Sequence, residues 1–165
     1  MCCNHSLEDL IFAGIEESYQ VSGEIVVDST MRGLPSGSCL YVYVHEDIQC
    51  EDPSACENPI LGDATIRDPQ LTSSRSIQYS VTFKSRSNKQ YVVVATLNMG
   101  WCKTDSEWIR EGDYKNDVYT MFSIQDGETT ASKDISITQY KVDGNNVNES
   151  GKDDDVKGIT TYCAA

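Results

Sequence analysis

Ile77-Gln78-Tyr79-Ser80-Val81-Thr82-Phe83 places a large apolar side chain at every second position, with a polar one between each pair. Successive side chains of an extended backbone point to opposite faces, so this run buries Ile77, Tyr79, Val81 and Phe83 on one side and wets the other. It reads as a strand of an antiparallel sheet with one dry face. The same period recurs outward in both directions. Toward the N-terminus, Leu40, Val42 and Val44 share one face while Tyr41, Tyr43 and His45 share the other, and Val21, Gly23, Ile25 and Val27 alternate with Ser22, Glu24 and Val26. Residues 60–67 give a weaker pattern of the same kind. Toward the C-terminus, residues 91–97 are apolar at nearly every position, as in a central strand covered on both sides, and residues 118–124 and 135–142 supply two more.

Clusters of Gly, Pro, Asn, Asp and Ser punctuate these runs and read as turns and loops, among them Met31-Arg32-Gly33-Leu34-Pro35-Ser36-Gly37. Seven strands with long connections at 46–59 and 99–117 predict an all-β antiparallel sandwich, immunoglobulin-like or transthyretin-like, with a closed barrel as the rival architecture. Ahead of it, Leu7, Leu10, Ile11, Ile15 and Tyr19 stand at helical spacing, with Ser6 placed to cap and Asp9 three residues on. A short amphipathic helix is expected within residues 1–18, covering an open end or edge of the sandwich, whose own span is 19–142. Residues 143–157 are polar, acidic and rich in Asn and Gly, and read as a solvated loop. Residues 156–163 then return as an eighth strand, so that 143–165 pack on the same domain.

At 165 residues the chain has the length of one domain, enough to bury roughly 70% of its unfolded surface without a staple. Thirteen Lys and Arg against 26 Asp and Glu give a formal charge of −13, which repels phosphate backbones and anionic headgroups and argues against nucleic-acid partners. No apolar stretch approaches the span of about 20 residues that a bilayer requires. The first residues lack the basic and long apolar regions of a secretory leader, so either the chain is made in the cytosol or Met1 stands in place of a removed leader.

Seven cysteines bear on that choice. Cys50 and Cys56 flank a turn-rich acidic loop, which suits a local disulfide; closing so short a loop contributes only about 2–2.5 kcal/mol, so its use is to fix the loop's shape. Cys39 and Cys102 lie at the ends of two predicted strands, while Cys2, Cys3 and Cys163 lie near the termini. An odd number leaves at least one thiol over, which in a secreted chain is able to join two copies as a homodimer, whereas in the cytoplasm all seven can stay reduced. Asn4-His5-Ser6 and Asn148-Glu149-Ser150 are glycosylation triplets compatible with secretion.

The block from Val21 to about Tyr140 resembles the small secreted domain of YbaY-like lipoproteins, described as type III secretion lipoprotein chaperones. The residues that carry the likeness are Val21-Ser22-Gly23-Glu24-Ile25, then Leu34-Pro35 leading into Cys39-Leu40-Tyr41-Val42-Tyr43-Val44, and Tyr91-Val92-Val93-Val94-Ala95-Thr96-Leu97. The chain departs from that pattern in having no lipid-attachment leader, in its Cys50–Cys56 loop and in an insertion from Trp101 to Asn116. The resemblance implies an extracytoplasmic immunoglobulin-like fold and brings no catalytic residues with it.

That insertion holds both tryptophans of the chain. Loops on a rigid β scaffold are where such folds bind, and Trp and Tyr bring large contact area at little entropy loss. Trp101, Trp108, Tyr114, Tyr41 and Tyr43 are therefore the candidate ligand contacts, with plugging of the sandwich end as the purely structural reading of the tryptophans. The acidic loops offer oxygen ligands for calcium: Glu46 and Asp47 with Glu51 and Asp52, or Asp113, Asn116 and Asp117. No EF-hand accompanies them, since Asp143-Gly144-Asn145-Asn146-Val147-Asn148-Glu149 lacks the required sixth-position Gly and closing Glu. Cys2, Cys3, His5 and Cys163 form a soft-metal set without zinc-site spacing. His45 is placed to serve as a base for a thiol at Cys39 or Cys102, and otherwise is a strand-surface histidine. No G-x-S-x-G, phosphate loop or H-E-x-x-H occurs. The expected function is a non-catalytic, secreted binding module that takes a protein or small ligand through its end loops, without an obligatory cofactor; an acidic calcium-binding or matrix protein and a cytosolic thiol protein are the alternatives.

Overall fold

The computed structural model describes residues 17–48, 58–85, 89–116 and 118–142. Nine strands run in chain order: β1 (Glu17–Val27), β2 (Cys39–Glu46), β3 (Ile60–Arg67), β4 (Ser76–Ser85), β5 (Gln90–Asn98), β6 (Tyr114–Lys115), β7 (Thr120–Ser123), β8 (Thr130–Ser132) and β9 (Ile135–Gln139). The class is all-β, with no helix among the described residues. The expected helix of residues 1–18 lies outside the described residues up to position 16, while Glu17 and Ser18 already belong to β1. The proposed eighth strand at 156–163 and the 143–157 loop also lie outside them.

The hydrogen-bonded order is β3-β2-β5-β6-β9-β1-β4, with β7 on β5 and β8 on β1. β9 pairs antiparallel with β6 and parallel with β1, so it sews the two half-sheets together. Instead of two independent layers, the strands make one sheet that wraps into a nearly closed barrel. A sandwich pattern and a barrel pattern both alternate with period two, which is why periodicity leaves this choice open. The ends of the path, β3 and β4, meet without pairing. At their meeting point stands Gly62, where a Cβ would run into the Thr82 carbonyl oxygen and the Phe83 side chain. At Gly23 a Cβ would strike the Lys133 carbonyl, where β1 passes the turn between its two parallel partners β8 and β9. The Asp134 carboxylate fills the same place by accepting the Glu24 N–H at 2.9 Å.

The interior is built as the alternation dictates. β4 buries Ile77, Tyr79, Val81 and Phe83 and exposes the residues between. Leu40, Val42 and Val44 of β2 and Tyr91, Val93, Ala95 and Leu97 of β5 face the same core. Phe83 stacks edge-on against Tyr91 and Phe122 with ring centroids 4.9 and 6.0 Å away, an aromatic centre whose fully buried rings each contribute about 2–3 kcal/mol of burial. β5 is covered on both faces: Val92, Thr96 and Asn98 point away from the core yet are almost completely buried. That second face is where the insertion lies.

Candidate functional site

Strand register assembles the outer face of β2, β3 and β5 row by row. Arg67 stands opposite Cys39 and Cys39 opposite Asn98; Thr65, Tyr41, Thr96 and Lys115 form the next row; Asp63, Tyr43 and Val94 the third; Ile60, His45, Val92 and Met121 the fourth. Tyr41, Tyr43 and His45 stack along β2 with successive ring centroids 5.5 and 6.1 Å apart. This ladder follows from three aromatic rings at alternate positions of one strand.

The segment from Met99 to Asp113 folds over the first rows, and one carboxylate organises it. Asp113 is 2% exposed. Its Oδ1 accepts the Met99 N–H at 2.8 Å and the Trp101 indole N–H at 3.1 Å, and its Oδ2 accepts the Arg110 N–H at 2.7 Å and the Asn98 amide at 3.0 Å. The second hydrogen of that Asn98 amide goes to the Trp108 carbonyl at 3.0 Å. Two backbone bonds anchor the far side to the end of β9, the Tyr140 N–H donating to the Asp113 carbonyl and the Gly112 N–H to the Tyr140 carbonyl. A covalent tie completes the attachment: Cys39 and Cys102 form a disulfide, with Cα atoms 5.0 Å apart.

Cations cap the aromatic rings of this region. The Arg110 guanidinium lies 3.9 Å from the Trp101 ring centre and is itself paired with Glu107 at 2.7 Å. Lys103 lies 3.8 Å over Tyr41, and Lys115 lies 5.5 Å from Trp108 and 4.8 Å from Tyr140. Burial is the main reason the Tyr43 hydroxyl is pushed up to about 12, with the neighbouring tyrosines adding to it. Arg110 donates to Glu107 and holds that carboxyl below the usual carboxylate range.

Of the five aromatic residues singled out by sequence, Tyr41 and Tyr43 stack on the outer face of β2, while Trp101 and Trp108 stand half-buried in the insertion that the Cys39–Cys102 bridge ties to the start of that strand. Tyr114 does not join them. It is 4% exposed and belongs to the core cluster, because its place on β6 between β5 and β9 turns the ring inward. The calcium set is also rearranged. Asp113 spends its oxygens on N–H donors; Asn116 accepts the Ala95 N–H through Oδ1 and donates to the Val118 carbonyl; Glu46 pairs with Lys89 at 2.8 Å. Asp47 carries its backbone N–H to the Gln90 carbonyl. Among the described residues no three His, Cys, Asp or Glu side chains gather to hold a metal ion. Asp117, Glu51, Asp52, Cys50, Cys56 and the Cys2, Cys3, His5 and Cys163 set lie outside the described residues.

The thiol and histidine pairing is corrected by the fold. Cys39 and Cys102 are joined to each other, and His45 stands six residues along β2 from Cys39, roughly 20 Å at about 3.3 Å per residue. His45 is 5% exposed, with Nδ1 3.1 Å from the Glu46 carbonyl. Sequence reasoning missed the organising role of Asp113 and the Cys39–Cys102 pairing. The strand-end positions of the two cysteines are the one signal that pointed to the latter.

No protein-family profile and no curated protein matches the sequence. In fold the chain is similar to an alternative pilotin from the type II secretion system of Vibrio cholerae, with a TM-score of 0.52 and 12% identity over 76% of this chain and 100% of the pilotin. A fimbrial assembly protein from Parabacteroides distasonis aligns with a TM-score of 0.43 and 7% identity over 76% of this chain and 53% of that one. At such identities the pilotin likeness is a likeness of fold.

Proposed function

We propose that this chain is a non-catalytic, extracytoplasmic module that binds a protein partner through the Trp101–Trp108 loop and the adjoining tyrosine ladder of β2. The observation that carries this reading is the buried Asp113, which accepts the Trp101 indole N–H and the Asn98 amide, the latter donating in turn to the Trp108 carbonyl, so that the tryptophan loop is tied to the end of β5. Binding residues held in place before the partner arrives lose little freedom on association, which is what an aromatic recognition platform requires. A disulfide across the same loop suits an oxidising compartment outside the cytoplasm. The pilotin of similar fold belongs to a secretion system, and the residues resembling YbaY-like lipoproteins point to the same kind of setting, so components of an envelope-spanning assembly are the first class of partner to test. Quantitative affinity capture from envelope extracts of the source organism, comparing the natural chain with Trp108→Ala and Tyr43→Ala, tests it. A partner retained by the natural chain and lost from both folded variants is the expected result; identical captured sets would refute the reading.

A further inference from the structure

The two sulfurs of the Cys39–Cys102 bridge differ in their surroundings. Cys39 is 2% exposed at the start of β2, whereas Cys102 is half-buried at the rim of the loop. The Arg67 guanidinium, on the neighbouring β3, donates through Nη1 to the Cys102 Sγ at 3.2 Å. Among the described residues Arg67 takes part in neither of the two ion pairs. A disulfide sulfur is a weak acceptor and gives a guanidinium little return. The same contact to a thiolate is charge-assisted, so the placement of Arg67 acquires its strength when Cys102 is reduced.

We propose that Cys102 is a thiol–disulfide exchange site, the sulfur through which the bridge is made by a disulfide-bearing oxidant of the thiol oxidoreductase class. In the reduced chain the Cys102 thiol releases its proton to solvent, and the thiolate beside Arg67 attacks one sulfur of the oxidant's disulfide. That sulfur–sulfur bond breaks, and its electron pair leaves on the oxidant's other sulfur. The Cys39 thiol then gives up its proton to solvent and attacks the Cys102 Sγ, expelling the oxidant sulfur bonded there as a thiolate. Two cysteines are oxidised by two electrons and one oxidant disulfide becomes a dithiol. Closing and opening of the bridge both pass through a Cys39 thiolate in a buried site, where the charged form is disfavoured, so the second step is the slow one in either direction. The arrangement gives a bridge that is entered through Cys102 and, once closed, exchanges slowly, locking the tryptophan loop on β2. It does not rest on the binding reading, since it concerns how the loop is fastened and not what it touches.

Unit charges 3.2 Å apart at the aqueous surface change thiolate population by about ninefold. Because nucleophilicity falls along with basicity, the change in rate is about threefold. The test is pulsed alkylation of the reduced full chain across a pH series, read cysteine by cysteine by mass spectrometry, for the natural chain, Arg67→Gln and Arg67→Lys. Tryptophan emission verifies folding. Cys102 is expected to alkylate faster than Cys39, with an inflection below the ordinary thiol value of about 8.5. Arg67→Gln should raise that inflection by about one pH unit and slow Cys102 about threefold at neutral pH, without changing Cys39, while Arg67→Lys keeps most of the effect. Added salt should slow Cys102 selectively in the natural chain, a readout that needs no variant to fold. A Cys102 rate indifferent to both Arg67→Gln and salt, or a Cys39 that reacts faster than Cys102, would overturn the proposal.

Discussion

Replacing Asp113 by Ala removes the acceptor for four donors: the Met99 and Arg110 backbone N–H groups, the Trp101 indole and the Asn98 amide. Asn98 is fully buried, and leaving its donor without a partner costs about 2 kcal/mol. The other three bonds are only part-buried and their loss costs about 1 kcal/mol each, which brings the total to about 5 kcal/mol. For a chain of this size that is about 10–20 °C in the midpoint of unfolding. Asp113→Asn tests the reasoning more finely. One amide oxygen can still serve Met99 and Trp101, but the new NH₂ then faces the N–H donors of Asn98 and Arg110, so at least half of the loss is expected to remain. Both tryptophans of the chain belong to the insertion, so tryptophan emission reports on it directly while far-UV circular dichroism follows the sheet. The reasoning is refuted if the emission transition of Asp113→Ala stays within about 3 °C of the natural chain.

Three further outcomes follow from the same structure. Gly62→Ala forces a methyl group against the Thr82 carbonyl and the Phe83 side chain, and chemical denaturation should register a loss of about 1–3 kcal/mol, as overpacking of a closed interior does. Breaking the Cys39–Cys102 bridge, which spans a sequence separation of 63, releases loop entropy worth about 4 kcal/mol, so Cys102→Ser should lower the urea midpoint without changing the far-UV spectrum of the native state. Burial first, then the neighbouring Tyr41 and Tyr119, raise the Tyr43 hydroxyl to about 12. The unfolded chain, with an ordinary tyrosine near 10, therefore loses this proton first; the stability it confers is complete below about pH 10 and disappears as pH rises toward 12. Alkaline melts of Tyr43→Phe against the natural chain check that sign, the variant being the less sensitive of the two over that window.

The alternation of Ile77, Tyr79, Val81 and Phe83 was enough to place β4 and its buried face, because period two is a local property of an extended chain. The continuous apolar run of β5 implied cover on both faces, and Val92 and Thr96 on its outer face are almost completely buried, flanked in register by His45 and Met121 and by Tyr41 and Lys115. What the sequence could not reveal depends on which strands lie side by side. The parallel pairing of β1 with β8 and β9, and the role of β9 in joining both half-sheets, rest on strands only three and five residues long. β6 has two residues, and no periodicity survives at that length, so Tyr114 read as a loop aromatic free to touch a ligand when it is a core residue. Asp113 looked like one carboxylate in an acidic loop. Its donors come from positions 98, 99, 101 and 110, and only the fold brings them to it.

The central claim is that a buried carboxylate holds the tryptophan loop rigidly against the sheet, and native-state hydrogen exchange followed by NMR tests it most directly. The Trp101 indole N–H and the Met99 and Arg110 amides should exchange slowly in the natural chain, in the manner of hydrogen-bonded strand amides, and should lose that protection together in Asp113→Ala. Exchange of these three protons at the rate of an unstructured peptide in the natural chain, with the strands still protected, would contradict it.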